Sequence, residues 1–258
     1  DMRTTHYVYG GIATRYDEIG GAESWLGFPT SEEKDFVKGG RIQTFQHGDI
    51  YWWRDVGAIE LNEVVVQYTG LICYAETDND QSSASDEPYV VLGVVAPGAN
   101  LSTRTPIHEG VDAGEGRPGL IELYRGKPNG ITLSAVLLEH DDENPDRYKA
   151  AMGAAVAAAS TALTGAIAAT GGGAPIAAIV APILGALVPV ITEELNRALD
   201  LQDDTLGEQT NELTAKELVV LAARTQNSTK HGVGYKVETP SFVREGSEYR
   251  VYYSVVPG

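Results

Sequence analysis

The sequence predicts an α+β protein: a small Gly- and aromatic-rich N-terminal module, followed by an antiparallel β-sandwich that carries an inserted, apolar, Ala/Gly-rich helical hairpin. Three observations carry this expectation. Glycines and aromatic side chains crowd residues 10–61, β-branched runs separated by long connections recur further on, and no charged residue occurs from Ala150 through Thr192. The boundaries read from these shifts are a module over 1–62 and a sandwich over 63–258, with the helical insertion at 148–200.

In the module, Ile12 to Ile19 has helical spacing, "GGAESWLGFPT" is a turn-rich connection, and "GGRIQTFQHGDIYWW" reads as a hairpin. Leu61–Ile72, Tyr89–Val95, 119–126 and 131–140 are rich in β-branched and aromatic residues and read as strands. "KPNG" joins the last two, and "HGVGYKVET" and "SEYRVYYSVV" supply the closing strands. Short strands with long connections suggest a sandwich.

The charge-free segment divides in two. Its first half is Ala-rich with good helix propensity and ends at Gly171–Gly173. Its second half carries Ile, Leu and Val, interrupted by Pro175, Pro182 and Pro189. "TEELNRALDL" then reads as an amphipathic helix capped by Thr192. Each half approaches the ~20 residues a bilayer span needs. Three readings stay open for 150–192: a packed soluble hairpin, a membrane-inserting hairpin of a pore-forming or membrane-active toxin, and an oligomer contact.

The formal charge of −17 over 258 residues excludes simple docking on nucleic acid, whose phosphates need Lys and Arg to release counterions. It equally disfavours electrostatic docking on anionic lipid. The charge is uneven: residues 1–70, 71–147 and 148–258 carry net −5, −9 and −3. With Cys73 the single cysteine, neither an intrachain disulfide nor a structural Cys zinc site can form. The opening "DMRTTHYVYGG" lacks the basic and apolar regions of a signal peptide.

Tyr16, Gly20–Gly21, "LGFP" at 26–29, Gly39–Gly40, "FQHGDIYW" at 45–52 and Gly57–Ala58 occur in an order that resembles the LGFP repeat. That repeat is found on bacterial, largely actinobacterial, cell-surface and secreted proteins. The resemblance implies a secreted or cell-surface protein attached to envelope glycan or a similar surface. Tyr51, Trp52 and Trp53 are the candidate stacking surface for sugar, and an internal role fits them equally.

Acids cluster in three segments: Glu76/Asp78/Asp80/Asp86/Glu87, Asp141/Asp142 with Asp146, and Asp203/Asp204. Like charges at this density repel unless a cation sits among them, and calcium takes six to eight oxygens at flexible geometry. An EF-hand is excluded because Gln81 stands where its loop demands Gly and strands flank the segment. "AETDNDQSSASDEPYVVLGVV" and "QDDTLGEQTNELTAKEL" resemble the ligand loops of calcium-binding β-sandwiches of the protein kinase C and synaptotagmin type. That resemblance implies calcium as cofactor, with Asp78, Asp80, Asp86, Asp141, Asp142, Asp203 and Asp204 as ligands and Glu76 and Glu87 as bidentate partners.

Catalysis is not expected. The five histidines show no HExxH spacing, no Gly-x-Ser-x-Gly elbow occurs, and "GGG" leads to Ala-Pro rather than to a phosphate-cradling Gly-Lys. A carboxylate pair for glycoside hydrolysis cannot be picked out from 36 acids by spacing.

Overall fold

The computed structural model describes residues 5–76, 86–140, 144–170, 175–199, 205–244 and 246–258. It is an α+β protein built on antiparallel sheets. In the N-terminal module, helix α1 (Gly10–Glu18) covers a sheet of β1 (Lys34–Asp35), β2 (Arg41–Thr44), β3 (Asp49–Trp53) and β4 (Gly57–Leu61), in that spatial order. Ile12 and Tyr16, one helical turn apart on α1, meet Leu26, Phe45 and Ile50 in a small core.

Two larger sheets follow. One has the order β10 (Thr205–Leu213), β9 (Ile131–Glu139), β6 (Pro88–Ala96), β7 (Ala99–Arg104). The other has the order β13 (Val237–Glu238), β15 (Ser247–Pro257), β5 (Val64–Ala75), β8 (Gly116–Gly126), with β14 (Phe242–Arg244) also paired to β15. Their facing side chains, among them Val64, Val66, Tyr68, Leu92, Val94, Leu133 and Leu137, form the main core. The sheets therefore stack as a sandwich, as the strand spacing predicts.

The charge-free segment forms α2 (Asp146–Ala169) and α3 (Ile176–Leu199). They lie in the connection between β9 and β10, which are themselves antiparallel neighbours with Leu213 opposite Ile131. The hairpin therefore leaves the sheet, covers its outer face and returns. Met152, Val156, Leu163, Val180, Leu184 and Leu187 pack there on Tyr89, Val91, Val95, Val136 and Leu138. This explains why β6 is buried along its whole length: strands covered on both faces read as continuous apolar runs rather than alternations.

Gly93 marks the closest approach. A Cβ there would stand 2.8 Å from Val156 Cγ1 and nearer still to Met152 Sδ, so only glycine lets α2 down onto the strand.

Two local expectations are corrected. Helix α3 runs unbroken through Pro182 and Pro189, so Thr192 is an interior residue and not a cap. Both prolines face solvent, where the missing N–H groups cost least. "QTNEL" belongs to strand β10 and "AKELVVLAA" to helix α4 (Ala215–Ala223), not to a ligand loop. Thr214 caps α4 through a reciprocal bond pair with Glu217. Strands β11 (Ser228–Lys230) and β12 (Val233–Tyr235) form a small hairpin whose Val233 covers Ile72 and Tyr252 on the outer side of the second sheet.

The main core does not stop at residue 62. Phe36, Tyr51, Trp53 and Leu61 of the module share one buried cluster with the sandwich and with Leu218, Val219 and Leu221 of α4.

Candidate functional site

Three acid-bearing segments meet the described structure at one end of the first sheet. Pro88 of β6 pairs with Glu139 of β9, and Thr205 of β10 pairs with Leu138 of β9. The His140 backbone N–H donates to the Glu87 carbonyl at 3.2 Å. One described flank of each of 77–85, 141–143 and 200–204, namely Glu87–Pro88, Glu139–His140 and Thr205, is thus brought to one end of the sheet by strand register. Asp78, Asp80, Asp141, Asp142, Asp203 and Asp204 themselves lie outside the described residues.

Of the remaining expected ligands, Asp86 is buried and accepts the Tyr249 hydroxyl at 2.6 Å. Burial, and then the bond to Asp86, push the Tyr249 phenol well above its ordinary range, so it stays a donor. Glu76 and Asp86 both bear electrostatically on Cys73, whose thiol is pushed up to about 11, first by burial. Such a thiol is inert near neutral pH. Glu87 is partly buried just ahead of β6. Among the described residues, no group of three or more His, Cys, Asp and Glu side chains is arranged to hold a metal.

The aromatic residues of β3 divide by strand alternation. Tyr51 and Trp53 point into the main core, where both rings pack on Phe36 at centroid distances of 5.3 and 5.8 Å. Trp53 Nε1 donates to the Val37 carbonyl at 2.9 Å, and the Tyr51 hydroxyl donates to Asp49 at 3.2 Å. Burial, and then Asp49, raise the Tyr51 phenol far above its usual value. The stacking role expected of Tyr51 and Trp53 is therefore corrected: neither ring presents a face to solvent. Trp52 points the other way and packs, partly buried, against the α1 core.

The exposed aromatic side chains are different ones. Tyr7, Tyr9, Trp25 and Phe28 are 73, 52, 50 and 62 % exposed, and all four belong to the N-terminal module. Trp25 and Phe28 stand in the very "WLGFP" phrase whose glycine and proline mark a turn. The cue is that a turn holds its side chains outward, away from any strand or helix that would cover them.

Trp25 borders a groove of about 590 Å³ where the module meets the end of α4 and β15. Arg15 and Glu60 form its polar wall. The Arg15 guanidinium donates to both Glu60 oxygens, at 2.6 and 2.7 Å, and to Glu18 at 3.1 Å. These bonds hold Arg15 firmly charged. Burial works upward on the Glu60 carboxyl, but Arg15 outweighs it and keeps the group below the usual range. Asn62, Arg224 and Thr225 complete the polar lining. A half-exposed indole beside fixed donors and acceptors that do not titrate near neutrality is suited to reversible binding.

The groove lies where the aromatic-rich module meets α4 and β15. The LGFP repeat family model matches residues 26–67, from the "LGFP" phrase itself to the start of β5. LGFP repeats are found in bacterial cell-surface proteins, which agrees with surface association of this chain. No curated protein matches the chain, so the likeness of the remainder to calcium-binding sandwiches gains nothing from the comparison.

Proposed function

We propose that this is a non-catalytic bacterial surface protein, secreted or held at the cell envelope, whose N-terminal module binds envelope glycan at the Trp25 groove. The observation that carries the proposal is the segregation of exposed aromatic rings. Phe28 lies inside the LGFP match, Trp25 directly precedes it, and Tyr7 and Tyr9 stand earlier in the same N-terminal module, while the sandwich aromatics are largely buried. An exposed indole stacks on the apolar face of a pyranose ring, while Arg15, Glu60 and Asn62 present hydrogen-bonding groups beside it. The test is sedimentation of the full chain with purified, insoluble cell-wall polysaccharide. We expect wild type to pellet and Trp25→Ala to lose at least tenfold in apparent affinity; equal pelleting of both would refute the groove as the glycan site.

Calcium belongs to the same proposal. Its support is that one described flank of each of three acid-bearing segments lies at the same end of a sheet. A ligand binding only the folded state stabilises by RT ln(1 + [L]/Kd), about 2.7 kcal/mol at roughly a hundredfold excess over Kd. We expect a calcium-specific rise in unfolding temperature that magnesium does not reproduce. An unchanged midpoint at millimolar calcium removes calcium from the proposal.

A second reading is favoured by one observation. Helices α2 and α3 are both long and apolar enough to cross a bilayer, and their outward faces carry no charge between Ala150 and Thr192. In that reading the hairpin lifts from the sheet and enters lipid. Dye release from neutral phosphatidylcholine vesicles tests it: release by the intact chain supports a membrane-active protein, and tight vesicles at micromolar protein dismiss it.

A further inference from the structure

The first sheet turns an apolar surface toward the hairpin on β6 and a polar one on β10. Strand register sets Glu208, Thr210 and Glu212 of β10 opposite Val136, Ser134 and Thr132 of β9, and Val136 belongs to the core under the hairpin. Two contacts bring this polar row against α3. The Thr192 hydroxyl donates to the Thr210 hydroxyl at 3.4 Å, and a Cβ on Gly185 would stand 3.5 Å from Glu212 Oε2.

The row is satisfied in its middle and not at Glu212. The Ser134 and Thr210 hydroxyls hydrogen-bond to each other at 3.1 Å. Glu212 is partly buried, and among the described residues its carboxylate takes no hydrogen bond and forms no ion pair. Its cross-strand neighbour Thr132 is 1 % exposed, and the Thr132 hydroxyl also has no partner. The helix offers the carboxylate no donor either: from Ile176 to Ile191, α3 carries no polar side chain.

What α3 does offer is an acceptor. Proline has no N–H, so Pro189 removes the helical hydrogen bond to the carbonyl four residues back, which is that of Gly185. The residue in contact with Glu212 is thus the one whose carbonyl lacks its helical donor. A protonated carboxyl carries an O–H to donate; an ionised one only accepts, and sets its charge beside a carbonyl oxygen.

We propose that Glu212 is a latch on the hairpin: α3 seats firmly on the first sheet while this carboxyl is protonated and loosens when it ionises. The surroundings act in the same sense. Burial raises the Glu212 carboxyl above its ordinary range, the charge of Glu217 adds to this, and Lys38 of the module opposes it. The other charged groups on the elements around it are Glu208 on the same strand, Glu193 and Glu194 further along α3, and Lys216 on α4, which is held by Asp55. The seated state binds the proton more tightly than a lifted state, in which water solvates the carboxylate. Lifting of α3 therefore becomes easier as pH rises and harder as pH falls. The latch is independent of the glycan and calcium readings and operates whether or not the hairpin enters lipid.

Amide hydrogen exchange of the full chain, without glycan, calcium or vesicles, tests it at about pH 4.5 and about pH 7.5, either side of a raised carboxyl. Rates are corrected for intrinsic exchange and referred to β15 peptides, which also report that each variant is folded. We expect peptides within 176–195 to exchange several-fold faster at the higher pH. Glu212→Gln keeps the shape and supplies a permanent donor, so it should hold α3 slow at both pH values. Glu208→Gln, in the same row, should keep the wild-type difference. Equal corrected exchange of α3 at the two pH values overturns the inference. So does faster exchange in acid, or a pH difference that survives Glu212→Gln. With no ligand or lipid in the assay, these failures leave the glycan, calcium and membrane tests untouched.

Discussion

The inner and outer faces of the N-terminal module are built from the same residue types and meet opposite fates. Trp53 is 1 % exposed and Trp25 is 50 % exposed, although both are tryptophans of one small glycine-rich unit. Trp53 is covered because β3 lays alternate side chains against the sandwich, and because Gly40 has no Cβ to keep the indole away. Trp25 is open because it stands in a turn, outside any strand or helix. Composition alone does not separate a covered indole from an exposed one; the element that carries each does.

Substitution at Trp53 should have the largest effect. Trp53→Ala removes a ring from the core shared by module and sandwich and one of two hydrogen bonds to the Val37 carbonyl, which keeps the Gly40 N–H. We expect a loss of about 3–5 kcal/mol in denaturant unfolding. A loss below about 1 kcal/mol would mean that the shared core contributes little, and would break the contrast between the faces.

The other covered face in the molecule, the first sheet under the hairpin, gives the next effect. Gly93→Val forces Met152 and Val156 away from β6 and should cost about 1–3 kcal/mol through overpacking. Met152→Ala should recover part of this in a double-mutant cycle. Strict additivity would show that α2 does not rest on Gly93.

A smaller effect separates the sandwich from the module by pH. Burial, and secondarily Arg117, hold the His108 imidazole below its ordinary value, so it is neutral in the fold. The unfolded chain takes up a proton near pH 6.5. The unfolded state then binds more protons, so this contribution to stability falls as pH drops through about 6.5. His108→Gln should flatten that part of the stability–pH curve; an unchanged slope would exclude His108 as its source. The difference between Trp53→Ala and Trp25→Ala should persist across the same pH range.

The smallest effect is expected at Trp25. Trp25→Ala should change stability by less than about 0.5 kcal/mol while weakening the proposed glycan binding at least tenfold. A large destabilisation would mean that the outer face is also structural.

Much of this architecture was legible in the sequence. The strand runs, the Gly/aromatic module and the charge-free hairpin all carry local periodicity or composition that survives folding. The continuity of α3 was not legible, because Pro182 and Pro189 signal a break unless one knows that both face solvent. Which aromatic rings are covered was not legible for a different reason. Tyr51, Trp52 and Trp53 are consecutive in a strand and cannot share a face, a rule that separates Trp52 from the other two but does not say which side is covered. Asp49 and Lys127, which are 78 positions apart, could be brought together only by the packing of the module on β8.

The pairing of β5 with β15 has a consequence for biosynthesis. Val64 lies opposite Pro257, so the strand that opens the sandwich is completed by its latest one. During translation, the apolar run "VVVQYTGLICYA" must wait with an unpaired edge while every intervening strand and both long helices leave the ribosome. Its other neighbour, β8, arrives earlier and can shield one side. A ribosome stalled before β15 would therefore present a half-sheltered sticky edge, a natural substrate for chaperones, until the last strand slides into the gap.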